Sequence, residues 1–295
     1  MAKSLVASGS INKSLVTAKQ EKMQSNKTIQ ATETLLINTG NIIKCKQLTK
    51  QLFDTLADEM VESIRHCLAS LAESSVNQSP AKSVEYTHEN HSSVVSAEDA
   101  KNVRTVVKVF LAPGDDDALR QAVEKTLSQL CLQRIDLLLV AFAHPTGSHK
   151  LELHHMQPTW SVCESLVSQG VVGSAGVADL DVTQLRDLYQ WASKRVKPTT
   201  NQLHFESAIA LSAEMTEFAA EYNIQLLTHA DEIGTAGPVN VKRMLDGFKD
   251  DADKWHCSWL TRYTVTFRCR GVLHSKGYIA KIERDISTQK TRGPQ

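Results

Sequence analysis

Four short apolar stretches decide the fold of this chain: I-D-L-L-L-V-A-F at residues 135–142, G-V-V-G-S-A-G-V-A-D-L at 170–180, K-P-T-T-N-Q-L-H-F at 197–205 and N-I-Q-L-L-T-H-A-D at 223–231. Each is typical of a buried strand that ends in a small or polar residue. Segments with helical spacing separate them, which indicates a parallel α/β sheet. Five or six such units in one row favour a closed (β/α)8 TIM-type barrel over a doubly wound sheet.

The sequence before and after this row is less regular. Leucine, isoleucine and methionine recur at three- and four-residue steps and predict a helix over about 50–74, while L-L-I-N-T-G-N-I-I at 35–43 is a hairpin candidate. The first two strand–helix units are poorly marked, so the barrel can be distorted or incomplete there. Residues 259–267 alternate like a final strand, and 271–282 continue as an extended basic segment.

The predicted domain organisation is simple. Residues 1–30 hold five lysines against one glutamate among many polar residues and predict a disordered basic tail, since a secretory signal needs an apolar core. Residues 31–284 form one barrel domain with a polar loop at 77–98, and 285–295 form a flexible C-terminal tail.

Composition excludes several functional classes. Lysine plus arginine equals aspartate plus glutamate at 33 each, so no global charge attracts nucleic acid or a membrane surface. No apolar run reaches the roughly 20 residues of a membrane-spanning helix. Six cysteines lack C-x-x-C spacing, which argues against a zinc site or a disulfide scaffold and favours a cytoplasmic location.

Active sites of such barrels lie where the strands end, which identifies a set of candidate polar residues. A general acid–base pair could come from the histidines, although rim or core-edge histidines are the simpler interpretation. No metal-ligand spacing is present, and the glycines at 170, 173 and 176 lack the strand–loop–helix context of a dinucleotide site. The strand-end candidates are His144, Asp179, Gln202, His204, His229 and Asp231.

The C-terminal segment interleaves basic and aromatic residues, the side chains that dominate protein–protein interfaces. Its candidate partner-contacting residues are Trp259, Arg262, Tyr263, Arg268, Arg270, Lys276 and Tyr278. An ordinary last strand with one solvated face is the alternative. Cys257 and Cys269 lie in this basic region, where a lowered thiol pKa is plausible, and are the candidates for a thiol that links two subunits.

Between about residues 106 and 231 the chain resembles the aldo-keto reductase superfamily. D-L-L-L-V-A-F-A-H-P, V-G-S-A-G-V-A-D-L and K-P-T-T-N-Q-L-H-F follow one another as the strand motifs of that family do. The resemblance implies a lysine, a histidine and a serine–asparagine pair where this chain has Ala112-Pro113, Ala141 and Ala178-Asp179. We therefore expect no reductase catalysis and no required cofactor. Weak residual binding of a nicotinamide dinucleotide would involve Gln202, Asp179 and His229.

A closer resemblance covers about residues 34–282 and includes the C-terminal segment. T-G-N-I-I, D-L-D-V-T-Q-L-R-D-L-Y-Q-W-A and W-L-T-R-Y-T-V-T-F-R-C-R-G-V-L-H-S-K-G-Y-I resemble the family of modifier (regulatory) subunits of glutamate–cysteine ligase. This implies a catalytically silent barrel that forms a heterodimer with the ligase catalytic subunit and acts in the first step of glutathione synthesis. The paired cysteines of some members are replaced by Ser207-Ala208-Ile209. An oxidoreductase with a rearranged site is the alternative.

Overall fold

A computed structural model describes residues 30–74, 81–88, 92–112, 116–142, 151–192, 196–209, 211–231 and 235–285. Both predicted tails lie outside these residues, except for residues 30 and 285. The strands are β1 (Thr34–Asn38), β2 (Ser83–Thr87), β3 (Val103–Leu111), β4 (Ile135–Phe142), β5 (Val172–Ala178), β6 (Thr200–His204), β7 (Gln225–His229), β8 (Trp255–Phe267) and β9 (Leu273–Arg284). The helices are α1 (Leu56–Ser74), α2 (Asp116–Leu130), α3 (Leu153–Ser168), α4 (Val182–Trp191), α5 (Phe205–Ile209), α6 (Ala213–Glu221) and α7 (Pro238–Leu245).

All nine strands of the described chain belong to one sheet, in the order β2-β1-β9-β8-β3-β4-β5-β6-β7. Strands β3 to β7 are parallel, which confirms the alternation predicted from the sequence. The hairpin of β8 and β9 lies between β1 and β3 and pairs antiparallel with both. As a result, β1 and β2 run in the opposite direction to β3–β7. The distortion that the sequence predicts for the first units is this reversal of strand direction.

The two faces of the sheet have separate cores. One row of side chains crosses the inner face from Ile37 through Ala280, Leu260, Phe110 and Ala141 to Ala178. Helices α1 and α7 cover this face, whereas α2, α3, α4 and α6 pack on the outer face against the alternate residues of the same strands. Burial on both sides explains why β4 reads as a near-continuous apolar run.

Helices α1 and α7 are joined by polar contacts as well as by the core. Arg65 of α1 donates hydrogen bonds to the carbonyl oxygens of Arg243 and Asp246 at 2.7 and 2.8 Å. These carbonyls are at the C-terminal end of α7, where a cation compensates the unpaired acceptors and the helix dipole. Arg243 in turn pairs with Asp58 in the first turn of α1 at 2.5 Å.

The sheet is strongly curved. The Lys108 ammonium on β3 lies 2.7 Å from Asp231, which follows β7. These strands are four positions apart, or about 19 Å on a flat sheet, far beyond the reach of a lysine side chain. The α/β fold with its mainly parallel sheet is thus consistent with a TIM-type barrel, although the described residues show no hydrogen-bonded closure between the edge strands β2 and β7.

Several local predictions are corrected by the structure. Helix α1 begins at Leu56 rather than near residue 50, because the Thr55 hydroxyl caps it by accepting from the Asp58 amide at 3.1 Å. The proposed hairpin at 35–43 is wrong: after β1, Gly40 adopts a φ of 61° and a 3-10 helix follows over Ile42–Lys44. The predicted loop at 77–98 contains β2, and the extended segment at 271–282 is mostly the internal strand β9.

Of the helices in the described ranges, none combines the length and the apolar character that a bilayer crossing requires.

Candidate functional site

The inner face of the sheet carries a cluster of charged side chains where β5 and β7 end. Lys108 of β3 and Arg262 of β8 are neighbours in the strand register. Asp179 directly follows β5, His229 ends β7, and Asp231 lies two residues further on. We call these five residues the strand-end network. It brings together three of the predicted strand-end candidates and adds two cations.

Asp231 is the centre of this network. Its carboxylate accepts from Lys108 at 2.7 Å, and it forms an ion pair with Arg262, whose second nitrogen donates at 3.0 Å. The side chains of Lys108 and Asp231 are each only 2% exposed. Burial would raise the pKa of Asp231, but the two cations hold it below its usual value. Burial lowers the pKa of Lys108, and the Asp231 carboxylate opposes that shift.

His229 links Asp231 to Asp179. Its Nδ1 accepts from the backbone amide of Asp231 at 3.0 Å, and its Nε2 is 2.9 Å from a carboxylate oxygen of Asp179. A hydrogen on Nε2 and a lone pair on Nδ1 satisfy these two contacts. Burial would raise the pKa of Asp179, but the hydrogen bond from His229 holds it below its usual value. Two carboxylates, one ammonium and one guanidinium then sum to zero charge.

The backbone fixes Asp179 in place. Its φ of 59° is left-handed, a conformation that aspartate tolerates better than most residues. Its amide donates to the Gln202 carbonyl at 2.9 Å, and its carboxylate accepts from the His204 amide at 2.8 Å. The His204 ring stands edge-on to His229, with centroids 5.8 Å apart. The ends of β5, β6 and β7 are therefore tied together by Asp179.

The buried members of the strand-end network are suited to holding the sheet in its curve. A general base or nucleophile needs a lone pair that a substrate can reach. Here Lys108, His229 and Asp231 are buried and each is engaged by another member of the network. Breaking such an ion network to perform chemistry would leave buried charges without partners, at a cost of several kcal/mol.

Of the remaining strand-end candidates, the structure describes Gln202 but not His144. Gln202 lies on the inner face beside Ala178, and its Oε1 is buried without a hydrogen-bond partner in the described part of the chain. His144 lies outside the described residues. No group of three or more histidine, cysteine, aspartate or glutamate side chains is placed to hold a metal ion within the described ranges.

The predicted partner-contacting residues of the C-terminal segment do not form one surface. Trp259, Tyr263 and Tyr278 are buried, because β8 and β9 are internal strands with both faces covered. The prediction that these three residues contact a partner directly is therefore wrong, and they belong to the core. Arg262 belongs to the strand-end network, and Lys276 pairs with Glu59 at 2.5 Å. Arg268 and Arg270 are exposed, Arg268 in an ion pair with Asp136.

The two candidate thiols also differ. Burial raises the pKa of the Cys257 thiol to about 12, so the lowered thiol pKa considered for this position is wrong. Cys269 is exposed at the turn between β8 and β9 and remains the candidate for a linking thiol.

Sequence reasoning missed Lys108 and misplaced Arg262. The signal for Lys108 was present, since a lysine within T-V-V-K-V-F-L interrupts a strand buried on both sides and requires a partner. Its partner could not be identified because Asp231 lies 123 residues away in the sequence. Along β8, Arg262 lies on the opposite face from Thr261 and Tyr263. This alternation does not show whether the face that carries Arg262 is buried or solvated.

Comparison with known proteins gives two levels of similarity. A sequence model of the aldo/keto reductase family matches residues 88–230. The chain is 30% identical over 258 residues to the glutamate–cysteine ligase regulatory subunit of Homo sapiens, which covers 85% of this chain and 93% of that protein. It is 24% identical over 203 residues to the putative glutamate–cysteine ligase regulatory subunit of Schizosaccharomyces pombe, covering 60% and 70%. Aldose reductase B of Dictyostelium discoideum is 30% identical over 129 residues, covering 38% and 40%.

Proposed function

The chain belongs to the family of glutamate–cysteine ligase regulatory subunits, and from that premise we propose that it binds the ligase catalytic subunit and raises its efficiency in the first step of glutathione synthesis. The observation that carries this proposal is the match to 93% of the human regulatory subunit. We expect the protein to act in the cytoplasm as a heterodimer and to perform no catalysis of its own.

The extent of the match separates this family from the reductases. The reductase similarity ends at residue 230 of 295, whereas the similarity to the human regulatory subunit covers 85% of the chain. The first 230 residues make up less than that share, so the match must extend beyond the end of the reductase similarity.

The geometry gives no support to carbonyl reduction, the alternative function. A reductase needs a proton donor that the substrate reaches. The Tyr263 hydroxyl donates to the Gly40 carbonyl at 2.6 Å, and that of Tyr278 donates to Glu59 at 2.6 Å. Burial raises the pKa of both hydroxyls, which makes them poorer acids. We therefore propose that the ancestral chemistry has been lost.

A nicotinamide dinucleotide is the cofactor that the reductase resemblance implies, and the described residues fit only part of it. The buried, unpartnered Oε1 of Gln202 is suited to the carboxamide group. The pyrophosphate needs cations or helix N-termini, but Lys108 and Arg262 are already neutralised by Asp231. We propose that any dinucleotide binding is weak and that none is required for regulation.

Regulation of this kind is a coupling between two proteins. The subunit changes the substrate affinity of its partner only if it contacts two conformations of that partner with different free energies. Among the predicted contact residues, Arg270 is exposed and Arg268 is exposed although it pairs with Asp136, so we propose that these two contact the partner. Hydrogen bonds to charged groups at an interface contribute about 1.5–3 kcal/mol each.

The proposal predicts complex formation with a glutamate–cysteine ligase catalytic subunit. The mixture is expected to co-elute in gel filtration with and without reductant, and the apparent KM for glutamate is expected to fall. The double charge reversal R268E/R270E should weaken binding about tenfold or more. K46E/K50E is the control and should bind normally, because both lysines are exposed and form no ion pair within the described residues. Separate elution of the wild-type proteins contradicts the proposed function. Equal affinity of both double variants removes Arg268 and Arg270 from the interface.

The second prediction concerns the isolated protein. With NADPH and a panel of aldehydes and ketones, no turnover above the buffer rate is expected. NADPH oxidation coupled to carbonyl reduction, and lost in H229Q, would establish the alternative function. H204Q serves as the matched control, because His204 lies beside the network without being one of its charged members.

A further inference from the structure

The opposite end of the barrel holds a cavity that the proposed function does not use. It has a volume of about 600 Å³ and lies at the N-terminal ends of β3–β7. This volume is within the range of small-molecule sites, about 300–1,000 Å³. We call it the N-terminal cavity. The residues used below are Arg104, Leu137, Ser174, Asn223, Ile224 and Gln225.

The N-terminal cavity contains an unengaged cation. Arg104 is exposed, and its guanidinium makes no hydrogen bond or ion pair within the described residues. Among the residues that the structure describes, no acidic side chain lines the cavity. The nearest carboxylate in the strand register is Asp136, which is already engaged by Arg268 and by the Thr105 amide at 2.8 Å. The positive charge of Arg104 is therefore available to a ligand.

A second guanidinium reinforces this charge. Arg134 directly precedes β4, the strand that pairs with β3, and it lines a second cavity of about 490 Å³ with Asp136 and Arg268. Its Nη2 lies 2.8 Å from the position that a Cβ at Gly173 would occupy. Arg134 likewise has no ion-pair partner in the part of the chain that the structure describes. The absence of a side chain at Gly173 leaves room for this guanidinium next to Ser174.

The other lining groups define the chemistry of the ligand. The Ser174 hydroxyl donates to the Asp136 carbonyl at 3.1 Å, which leaves its oxygen lone pairs as acceptors. The exposed amides of Asn223 and Gln225 can both donate and accept. Leu137 and Ile224 supply apolar surface between these polar groups. A guanidinium, several hydrogen-bonding groups and a small apolar surface together suit a small organic molecule that carries a carboxylate.

We propose that the N-terminal cavity is a binding site for a small organic carboxylate, with Arg104 as its charged anchor. The planar guanidinium binds a carboxylate through two parallel hydrogen bonds, a geometry that lysine does not reproduce. Arg134 adds longer-range attraction, and the amides of Asn223 and Gln225 hold the polar groups at the other end of the ligand. This site lies at the far end of the strands from the strand-end network and does not depend on the ligase.

The test is calorimetric titration of the full-length protein with succinate, glutarate and citrate. At least one of these probes should bind saturably, and glutaramide, the neutral analogue of glutarate, should bind at least tenfold more weakly. The R104Q variant should lose about tenfold or more in affinity, since a charged hydrogen bond is removed. R104K should fall between R104Q and the wild type.

R270Q is the matched control, because Arg270 is exposed, carries the same charge and lines neither cavity. Its affinity should equal that of the wild type. The proposal is overturned if none of the three probes saturates, if R104Q binds as well as the wild type, or if R270Q loses as much as R104Q. Urea unfolding of each variant shows that the fold is intact, since an exposed arginine is not expected to be required for it.

Discussion

The two ends of the same parallel strands differ in whether their charged side chains are paired. At the C-terminal end, Lys108, Asp231 and Arg262 are buried and neutralise one another. At the N-terminal end, Arg104 and Arg134 are exposed beside cavities and have no partners within the described residues. Paired charges hold a structure together, while unpaired charges are available to a ligand. We propose that the end where a barrel enzyme keeps its active site is structural in this protein and that the opposite end offers the binding groups.

The largest expected effect is the loss of the central carboxylate. Replacing Asp231 by Asn leaves Lys108 and Arg262 as uncompensated cations in the inner core. We expect the free energy of unfolding to fall by about 3–5 kcal/mol. Equilibrium urea denaturation followed by circular dichroism measures this change.

Asp179 provides the control for this variant. Its side chain is 40% exposed, so water screens its interaction with His229 more than it screens the buried pair of Lys108 and Asp231. D179N should therefore cost clearly less than D231N. Equal losses, or a loss below about 1 kcal/mol for D231N, would show that the strand-end network is not what stabilises this end of the barrel.

An intermediate effect is expected from pH. The cations around Asp231 hold its pKa below the ordinary value of 3.8, so its ionised form stabilises the folded state. This contribution is fully present above pH 3.8 and is lost as pH falls through the lower folded-state pKa. The stability difference between wild type and D231N should be constant near neutrality and should narrow below about pH 4. Urea midpoints measured between pH 6 and 3 test this. A difference that stays constant over this range contradicts the direction of the shift.

The smallest effect on the free energy of unfolding is expected at the N-terminal ends of the strands. R104Q and R134Q remove exposed cations without partners, so the free energy of unfolding should change by less than about 0.5 kcal/mol. The same urea measurement applies. A loss comparable to that of D231N would mean that these arginines are structural, and the contrast between the two ends would disappear.

The elements that the sequence predicts well are those whose burial is continuous. The sequence predicts strand β4 over the same residues that it occupies, Ile135–Phe142, because both of its faces are covered by apolar layers. The direction of β1 was not predictable, because pairing with β9 joins residues about 240 positions apart. Nothing in the local pattern of either strand identifies the other as its neighbour.

The candidate site was predictable only in part, for a related reason. Asp179, His229 and Asp231 follow strands, and the rule for strand ends finds them. Lys108 and Arg262 lie within strands, and their role depends on the curvature that brings β3 towards the end of β7. The inward position of Arg262 also depends on the hairpin being internal to the sheet, which periodicity does not reveal.

The position of the β8–β9 hairpin has a consequence for biosynthesis. Because it lies between β1 and β3, β1, the first strand of the described residues, gains β9 as its neighbour only when β9, the last of them, has been made. At 5–20 residues per second, β1 waits roughly 10–50 s for β9. During this interval the hydrogen-bonding edges of β1 and β3 are both uncovered, a state that favours aggregation. Nascent chains that stall before residue 255 should therefore depend on chaperones more than the full-length protein does.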